Sequence, residues 1–210
     1  MRLVLASGNP GKLAELQALF APLGIELVAQ GGLGIAEAEE PHPTFIENAL
    51  AKARHAAAAS RGAAIADDSG LVVDALEGAP GVASAHYAGV ATAADGDREA
   101  QRRAQDAANK ALLLEQMRGA PDRSARFVST LVAVRHADDP EPLVAVGRWP
   151  GEIALVPRGS GGFGYDPLVY IPALGRTVAE LDAASKNVAS HRALAARQML
   201  ALMREVWRLG

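Results

Sequence analysis

The sequence predicts an α/β protein built on a mixed, strongly twisted sheet. Short apolar runs of strand length alternate with longer segments whose apolar residues recur at helical spacing. Half of the 210 residues are apolar, enough to bury a full core as one domain or as two closely packed lobes. No internal repeat or linker divides the chain, and the alternation of strands and helices is typical of the α/β class.

The first half of the chain begins with a predicted strand, a tight loop and a helix. Residues 3–6 are apolar, the polar segment 7–11 follows, and apolar residues then recur at helical spacing. A second strand is predicted at 25–28. Beyond it, a glycine-rich and acidic loop leads to a helix that starts at Pro43 or Thr44.

The second half of the chain is predicted to hold a hairpin, a glycine-rich loop and two helices. The two strands joined by Asp138-Asp139-Pro140 are expected to pair as a hairpin. Apolar residues spaced four and three apart predict a C-terminal helix.

The remaining predicted elements come from both halves of the chain. They are strands at 63–66, 71–73, 127–134, 143–146 and 153–156, a helix at 98–118 and a glycine-rich loop at 159–167.

Composition excludes several chemistries. The chain has no cysteine, so disulfides and cysteine nucleophiles are excluded, and any metal must bind oxygen or imidazole ligands. A hard cation such as Mg²⁺ is then the default expectation. The net charge of −3 supplies no general basic field for nucleic acid. Because no apolar run resembles a signal peptide or a membrane span, we expect a cytoplasmic protein without membrane partners.

Lysine is rare, which draws attention to where it occurs. Of the 21 basic residues 17 are arginine, and Lys12, Lys52 and Lys186 are three of the four lysines. Lys12 ends the segment Ser7-Gly8-Asn9-Pro10-Gly11-Lys12, a strand-to-helix turn whose glycines expose backbone N–H groups. Phosphate binds well at such turns. The alternative is an ordinary turn with a solvated lysine, since the spacing is not that of a Walker A motif.

Two acidic segments are candidates for metal ligands. Asp67 and Asp68 end an apolar strand, and open α/β folds bind ligands at the carboxyl edge of the sheet. Because neighbouring strand side chains point to opposite faces, at most one of the two should face a given pocket unless the strand has turned. A solvated turn before Gly70 is the alternative. For Glu37 and Glu39 a solvated acidic face is favoured.

Two further segments suit a nucleoside. The segment 159–167 places four glycines around Phe163 and Tyr165, which allows close backbone approach and offers aromatic faces for a base. The segment from Lys186 to Arg192 opens a helix with three groups that are cationic or able to become so. The alternatives are a hairpin with glycine turns and a basic helix start that the helix dipole disfavours. Together the segments describe a nucleotide site.

Five segments of the chain are long and specific, namely SGNPGK at 7–12, TFIENALAKARHA at 44–56, ADDSGLVVDALEGAPGVASAHYAG at 66–89, GGFGYDP at 161–167 and SHR at 190–192. Together they resemble the inosine triphosphate pyrophosphatase family, and the resemblance runs nearly end to end. It implies one domain over 1–210, with an elongated mixed sheet, flanking helices and two lobes around a central cleft. It also implies a homodimer.

The resemblance also implies a role for each candidate residue. Glu40 and Asp68 correspond to the metal ligands of the family, and Asp68 also to its proton acceptor. The segment 7–12 is expected to bind the triphosphate, and the later segments the nucleoside. The expected substrate-binding residues are Ser7, Gly8, Asn9, Pro10, Gly11, Lys12, Lys52, Ser69, Phe163, Gly164, Tyr165, Asp166, Lys186, His191 and Arg192.

The expected activity is hydrolysis of ITP, dITP and XTP to the monophosphate and pyrophosphate, which cleanses the nucleotide pool. Mg²⁺ held by the two carboxylates would bridge the phosphates and activate water, with Lys12 and Lys52 neutralising the remaining charge. The sequence leaves open whether Asp67 or Asp68 accepts the proton.

Base discrimination has a physical basis as well. Donors from His191 or Arg192 aimed at the 6-oxo group would face the 6-amino group of adenine if ATP bound instead. The unpaired donors would cost about 1 to 3 kcal/mol of binding free energy.

Two alternative functions remain at this stage. One is a broader pyrophosphatase that acts on modified pyrimidine or standard nucleotides, and the other is a nucleotide sensor that has lost catalysis.

Overall fold

A computed structural model of the chain describes residues 1–21, 24–89 and 97–209. The chain divides into two compact units. The first unit comprises 1–69, 128–148 and 187–210, and the second comprises 70–127 and 149–186. That the whole chain forms one domain with a cleft between two lobes stays a prediction.

The described residues form a seven-stranded sheet with the strand order β2-β1-β3-β4-β5-β6-β7. β1 pairs in parallel with both β2 and β3, whereas β6 is antiparallel to both β5 and β7. The predicted mixed α/β class with flanking helices is confirmed. The strands are β1 (Arg2–Leu5), β2 (Glu26–Ala29), β3 (Ala64–Val73), β4 (Ser124–Val134), β5 (Leu143–Ile153), β6 (Val169–Ile171) and β7 (Arg176–Thr177). The helices are α1 (Pro10–Phe20), α2 (Phe45–Ser60), α3 (Arg98–Gln116), α4 (Ala183–Ala189) and α5 (His191–Val206).

The central strands of the first unit are apolar on both faces, because helices cover each face. Leu5 and Ile65 lie in a core shared with α1 and α5. Val4, Ala64 and Ala66 lie in a second core, shared with α2. Consecutive residues of β1 and β3 therefore alternate between two cores, as the two-residue period of a strand requires. The fully buried residues that α2 adds to the second core are all small, namely Ala49, Ala53, Ala56 and Ala57.

Two strand predictions are corrected. β3 runs without interruption from Ala64 to Val73, so Asp67 and Asp68 lie within the strand and do not end it, and the solvated turn considered for 67–70 is wrong. β5 ends at Ile153, so residues 154–156 do not belong to a strand. The strand ends there because β6 begins at Val169, opposite Ile153, and the residues before Val169 form turns. The predicted hairpin strands are confirmed as neighbours, β4 and β5.

The helix predictions hold with one correction. Thr44 caps α2, since its side chain accepts a hydrogen bond from the backbone N–H of Glu47 at 3.3 Å. The segment from Lys186 to Arg192 does not open a single helix, because Ser190 is extended and separates α4 from α5. The Ser190 hydroxyl accepts a hydrogen bond from the N–H of Ala193 at 3.2 Å, so it caps α5.

Candidate active site

The segment 7–12 joins the carboxyl end of β1 to the amino end of α1. The Asn9 side chain caps α1 by accepting hydrogen bonds from the N–H groups of Gly11, at 2.9 Å, and Lys12, at 3.3 Å. The Ser7 hydroxyl accepts a third hydrogen bond, from the N–H of Asn9 at 3.2 Å. The turn is thus held in shape before any ligand binds, at a helix end whose dipole favours an anion.

The Glu37 side chain lies against this turn, a contact that the sequence analysis did not predict. A Cβ atom added to Gly8 would overlap the Glu37 carboxylate, so only glycine permits this approach. Glu37 and Glu39 are exposed, as expected of a solvated acidic face, but the Glu37 side chain packs back onto the turn.

Asp67 occupies the β3 face that packs against α1 and α5, where it is fully buried among donors. Its carboxylate accepts hydrogen bonds from the Ser129 hydroxyl at 2.7 Å and from Nε of Arg192 at 3.0 Å. Nζ of Lys12 lies 3.4 Å from Oδ2, and the Ser69 hydroxyl lies 3.3 Å from it. Burial alone would raise the pKa of Asp67, but Lys12, Arg192 and the Ser129 hydrogen bond hold that pKa far below its usual range.

Asp68 occupies the opposite face, beside α2. Its Oδ1 accepts a hydrogen bond from Nζ of Lys52 at 2.8 Å, and the same Nζ lies 3.1 Å from Oε1 of Glu40. The other oxygen, Oδ2, is buried with no hydrogen-bond partner among the described residues. Burial raises the pKa of Asp68 to about 6, and repulsion from Glu40 adds to this against the attraction of Lys52.

The two lysines respond differently to these surroundings. Burial lowers the pKa of Lys12, although Asp67 partly offsets it. For Lys52, burial is outweighed by the attraction of Asp68 and Glu40, which raises its pKa. Both ammonium groups also donate to the backbone carbonyl of Asp67, at 3.3 Å from Lys12 and 3.2 Å from Lys52. The middle of β3, at Asp67 and Asp68, is therefore flanked by one lysine from each face.

The proline-rich loop after Glu40 is fixed to α2. The Asn48 side chain accepts a hydrogen bond from the N–H of His42 and donates one to its carbonyl, each at 3.0 Å. This pair of bonds fastens the loop after Glu40 to the first turns of α2. Glu40 and Asp68 then converge on one cationic group, the ammonium of Lys52. Among the described residues, no group of three or more His, Cys, Asp or Glu side chains is placed to hold a metal ion.

Arg192 and His191 open α5 and are both buried. Besides Asp67, the guanidinium of Arg192 contacts the Glu15 carboxylate and donates to the Ser69 hydroxyl at 3.0 Å. Gly147 of β5 allows this arrangement, because a Cβ atom there would overlap the backbone carbonyl of His191. The predicted base-reading role of His191 and Arg192 stays a prediction.

The remaining predicted residues lie in the second unit. Oδ2 of Asp166 accepts hydrogen bonds from the N–H of Phe163 at 3.0 Å and from Nζ of Lys186 at 2.8 Å. The same ammonium lies 4.7 Å from the centre of the Phe163 ring, within cation–π range. Gly162, with φ of 71°, leaves room for the Asp166 carboxylate. Burial raises the pKa of Tyr165 above its usual range, so its hydroxyl stays protonated.

The structure therefore gathers the predicted residues in two groups, one in each unit. The first unit holds the phosphate and metal candidates together with Ser69, His191 and Arg192, and the second holds 163–166 with Lys186. Sequence reasoning missed Ser129, whose only signal is a polar residue inside an apolar strand, and Glu15, which lies one turn after Lys12 on α1.

The chain matches known proteins along nearly its whole length. The model of the Ham1 family matches residues 3–202. A dITP/XTP pyrophosphatase of Methylibium petroleiphilum is 71% identical, with 99% of each chain covered. A dITP/XTP pyrophosphatase of Burkholderia pseudomallei is 58% identical, with 98% of this chain and 94% of the relative covered.

Solved structures agree in fold. A HAM1 protein from Coxiella burnetii, 42% identical, superposes with a TM-score of 0.86 and covers 98% of this chain and 100% of its own. A nucleoside-triphosphatase / dITP/XTP pyrophosphatase from Mycobacterium abscessus, 43% identical, gives a TM-score of 0.70 with 96% and 98% covered. Within the described part of the chain, none of the helices has the length and apolar character needed to cross a membrane.

Proposed function

This chain belongs to the Ham1 family, and on that premise we propose that it hydrolyses dITP, ITP and XTP to the monophosphate and pyrophosphate. The observation that carries the proposal is the cluster around Asp67 and Asp68, in the middle of β3. There two lysines and two carboxylates, Lys12, Lys52, Asp67 and Asp68, meet the phosphate-type turn that follows β1. The names of the similar proteins supply the substrate class.

The turn 7–12 binds the triphosphate in this proposal. Its capped shape and the amino end of α1 favour an anion, and Lys12 and Lys52 supply positive charge beside it. Ser69 follows Asp68 directly and adds a hydroxyl to the substrate contacts. Fixed donors of this kind stabilise the charge that develops on phosphate oxygens without reorganising during the reaction.

Asp68 is the proton acceptor in this proposal. The choice of Asp68 over Asp67 is supported by the donors around Asp67, which hold the pKa of its carboxyl far below its usual range. Asp68 keeps one oxygen without a hydrogen-bond partner among the described residues, able to orient a water molecule. The water oxygen bonds to phosphorus, the bond to the pyrophosphate leaving group breaks, and the water proton passes to Asp68.

Mg²⁺ is the proposed cofactor, held by Glu40 and Asp68. The residues fit a hard divalent cation, since the Glu40 and Asp68 carboxylates converge on the ammonium of Lys52, at 3.1 and 2.8 Å. Mg²⁺ commonly binds one or two carboxylates and completes its shell with substrate phosphates and water. When bound, it supplies positive charge to the phosphate oxygens.

Each unit holds residues that the family resemblance assigns to the nucleoside. In the second unit Phe163 offers an aromatic face and Lys186 a cation, within the segment 163–166 that includes Gly164, Tyr165 and Asp166. His191 and Arg192 of the first unit read the 6-oxo group of the base. We further propose a cytoplasmic homodimer without nucleic-acid partners, supported by the family resemblance and by the net charge of −3.

A pyrophosphate-release assay tests the proposal. The purified protein is given Mg²⁺ and, in parallel, dITP, ITP, XTP, GTP, ATP and dUTP. We expect kcat/KM for the first three to exceed that for ATP by at least about tenfold, from one discriminating contact. Comparable turnover of dUTP or ATP would instead indicate a broad pyrophosphatase. Nucleotide binding without pyrophosphate release would indicate a sensor and contradict the proposal.

A further inference from the structure

The second unit contains a polar network that the proposed reaction does not use. Asp106 and Asn109 lie three residues apart on α3, so their side chains share one face of the helix. Oδ2 of Asp106 accepts a hydrogen bond from the backbone N–H of Gly164 at 3.0 Å. Gly164 belongs to the segment 163–166 proposed to contact the nucleoside.

The backbone at Gly164 is held by a contact from outside the segment 163–166. Its φ of 60° lies in the left-handed region, and residues 164–168 form turns rather than a strand or helix. The bonds from Phe163 and Lys186 to Asp166 close the segment on itself. Toward α3, the segment is fixed by the Asp106 bond and by the Tyr165 hydroxyl, which donates to the carbonyl of Ser84 at 3.0 Å.

The carbonyl that receives Tyr165 is itself fixed by α3. The Asn109 amide is buried, and its nitrogen donates to the carbonyls of Ser84 at 3.2 Å and Ala85 at 3.1 Å. Its oxygen accepts from the N–H of Ala88 at 2.8 Å. One face of α3 therefore fixes both anchors of the segment 163–166.

We propose that Asp106 is a positioning residue for the purine base. Its carboxylate forms the kind of charge-assisted bond to a backbone N–H that is stronger than a neutral one. By holding Gly164, it sets the position of the Phe163 ring and of the ammonium of Lys186 stacked on it. This inference rests on the proposed function, in which that pair contacts the nucleoside while the triphosphate binds in the first unit.

The test compares Asp106→Ala and Asp106→Asn with Glu115→Ala, an exposed residue on the same helix. For Asp106→Ala we expect KM for dITP to rise about tenfold, as for one lost hydrogen bond to a charged group, while kcat changes less than about threefold. Inhibition by inorganic tripolyphosphate, which has no base, should not change. Asp106→Asn keeps an acceptor oxygen and should recover most of the loss, and Glu115→Ala should match the wild type.

Different failures have different meanings. An unchanged KM for Asp106→Ala in an enzyme whose wild type is active overturns the inference alone. So does a parallel loss of tripolyphosphate inhibition, or an equal loss in both Asp106 variants with a lowered melting temperature, because either result indicates a general structural role. If the wild type releases no pyrophosphate from dITP, the proposed function fails, and this inference fails with it.

Discussion

Asp67 and Asp68 are consecutive residues of β3, yet their carboxylates lie on opposite faces of the sheet and have opposite pKa shifts. Asp67 faces α1 and α5, where Lys12, Arg192 and Ser129 stabilise its charge. Asp68 faces α2, where burial raises its pKa to about 6 and one oxygen lacks a hydrogen-bond partner among the described residues. The first is suited to hold cations in place, and the second to accept a proton.

The first prediction concerns turnover. Asp68→Asn removes the charge and basicity of the carboxylate and keeps its shape, so we expect kcat to fall by much more than tenfold while the protein stays folded. The measurement is single-turnover pyrophosphate release, with Asp138→Asn, an exposed aspartate in the loop between β4 and β5, as the matched control. If Asp68→Asn keeps more than about a tenth of the wild-type kcat, Asp68 is not the base.

The second prediction concerns the pH dependence of stability. Because the pKa of Asp68 rises from its ordinary value to about 6 on folding, the folded protein binds more protons than the unfolded one in that window. Stability should therefore fall as pH rises from 4 to 7, by about 1 to 3 kcal/mol, and this component should be absent in Asp68→Asn.

The measurement is urea denaturation of both proteins across this pH range with a chelator present. The quantity to compare is the difference in unfolding free energy between the wild type and Asp68→Asn at each pH. A difference that does not change with pH would show that the carboxyl of Asp68 titrates alike in both states.

The alternation of side chains along β3 was predictable from the sequence, whereas the partners of those side chains were not. A strand period of two places Asp67 and Asp68 on opposite faces whatever surrounds them. Which helix covers each face depends on contacts far apart in the chain. Arg192 reaches Asp67 from 125 residues away and Ser129 from 62, and no local pattern connects such pairs.

Local sequence patterns also did not predict that β3 continues through Asp67-Asp68-Ser69-Gly70. Polar residues with a glycine favour a turn, but here donors from elsewhere in the first unit bind the Asp67 carboxylate and Oδ1 of Asp68 inside the strand. Asp106 was missed for a related reason. It is one of many polar residues on α3, and only the fold brings the N–H of Gly164, 58 residues away, within 3.0 Å.

The third prediction concerns Lys12. Its ammonium lies beside the turn 7–12, so Lys12→Ala should weaken binding of inorganic tripolyphosphate by about tenfold or more and binding of IMP much less. Lys12→Arg should not restore binding, because the planar guanidinium needs different room in this half-buried position. Calorimetric titration with both ligands measures the two losses, and equal losses would place Lys12 outside the phosphate site.

The last prediction concerns base selection by Arg192. All three nitrogens of its guanidinium are engaged in the structure, with Asp67, Glu15 and the Ser69 hydroxyl. Arg192 can therefore read a base only if substrate replaces one of the last two partners, while the bond from Nε to Asp67 keeps the side chain in place. A donor aimed at the 6-oxo group strengthens binding of inosine and is left unpaired against the amino group of adenine.

Arg192→Ala should therefore reduce kcat/KM for ITP far more than for ATP. The ratio of the two should narrow by about one to two powers of ten, from about 1 to 3 kcal/mol per discriminating contact. Removing this buried cation also leaves Asp67 with Lys12 as its remaining cationic partner, so both reactions are measured below the melting temperature of the variant. Arg197→Ala, an exposed arginine on the same helix, is the matched control. An equal loss of kcat/KM for both substrates would indicate that Arg192 only holds Asp67 and Ser69 in place. His191 or the backbone of 163–166 would then be the candidates for recognising the base.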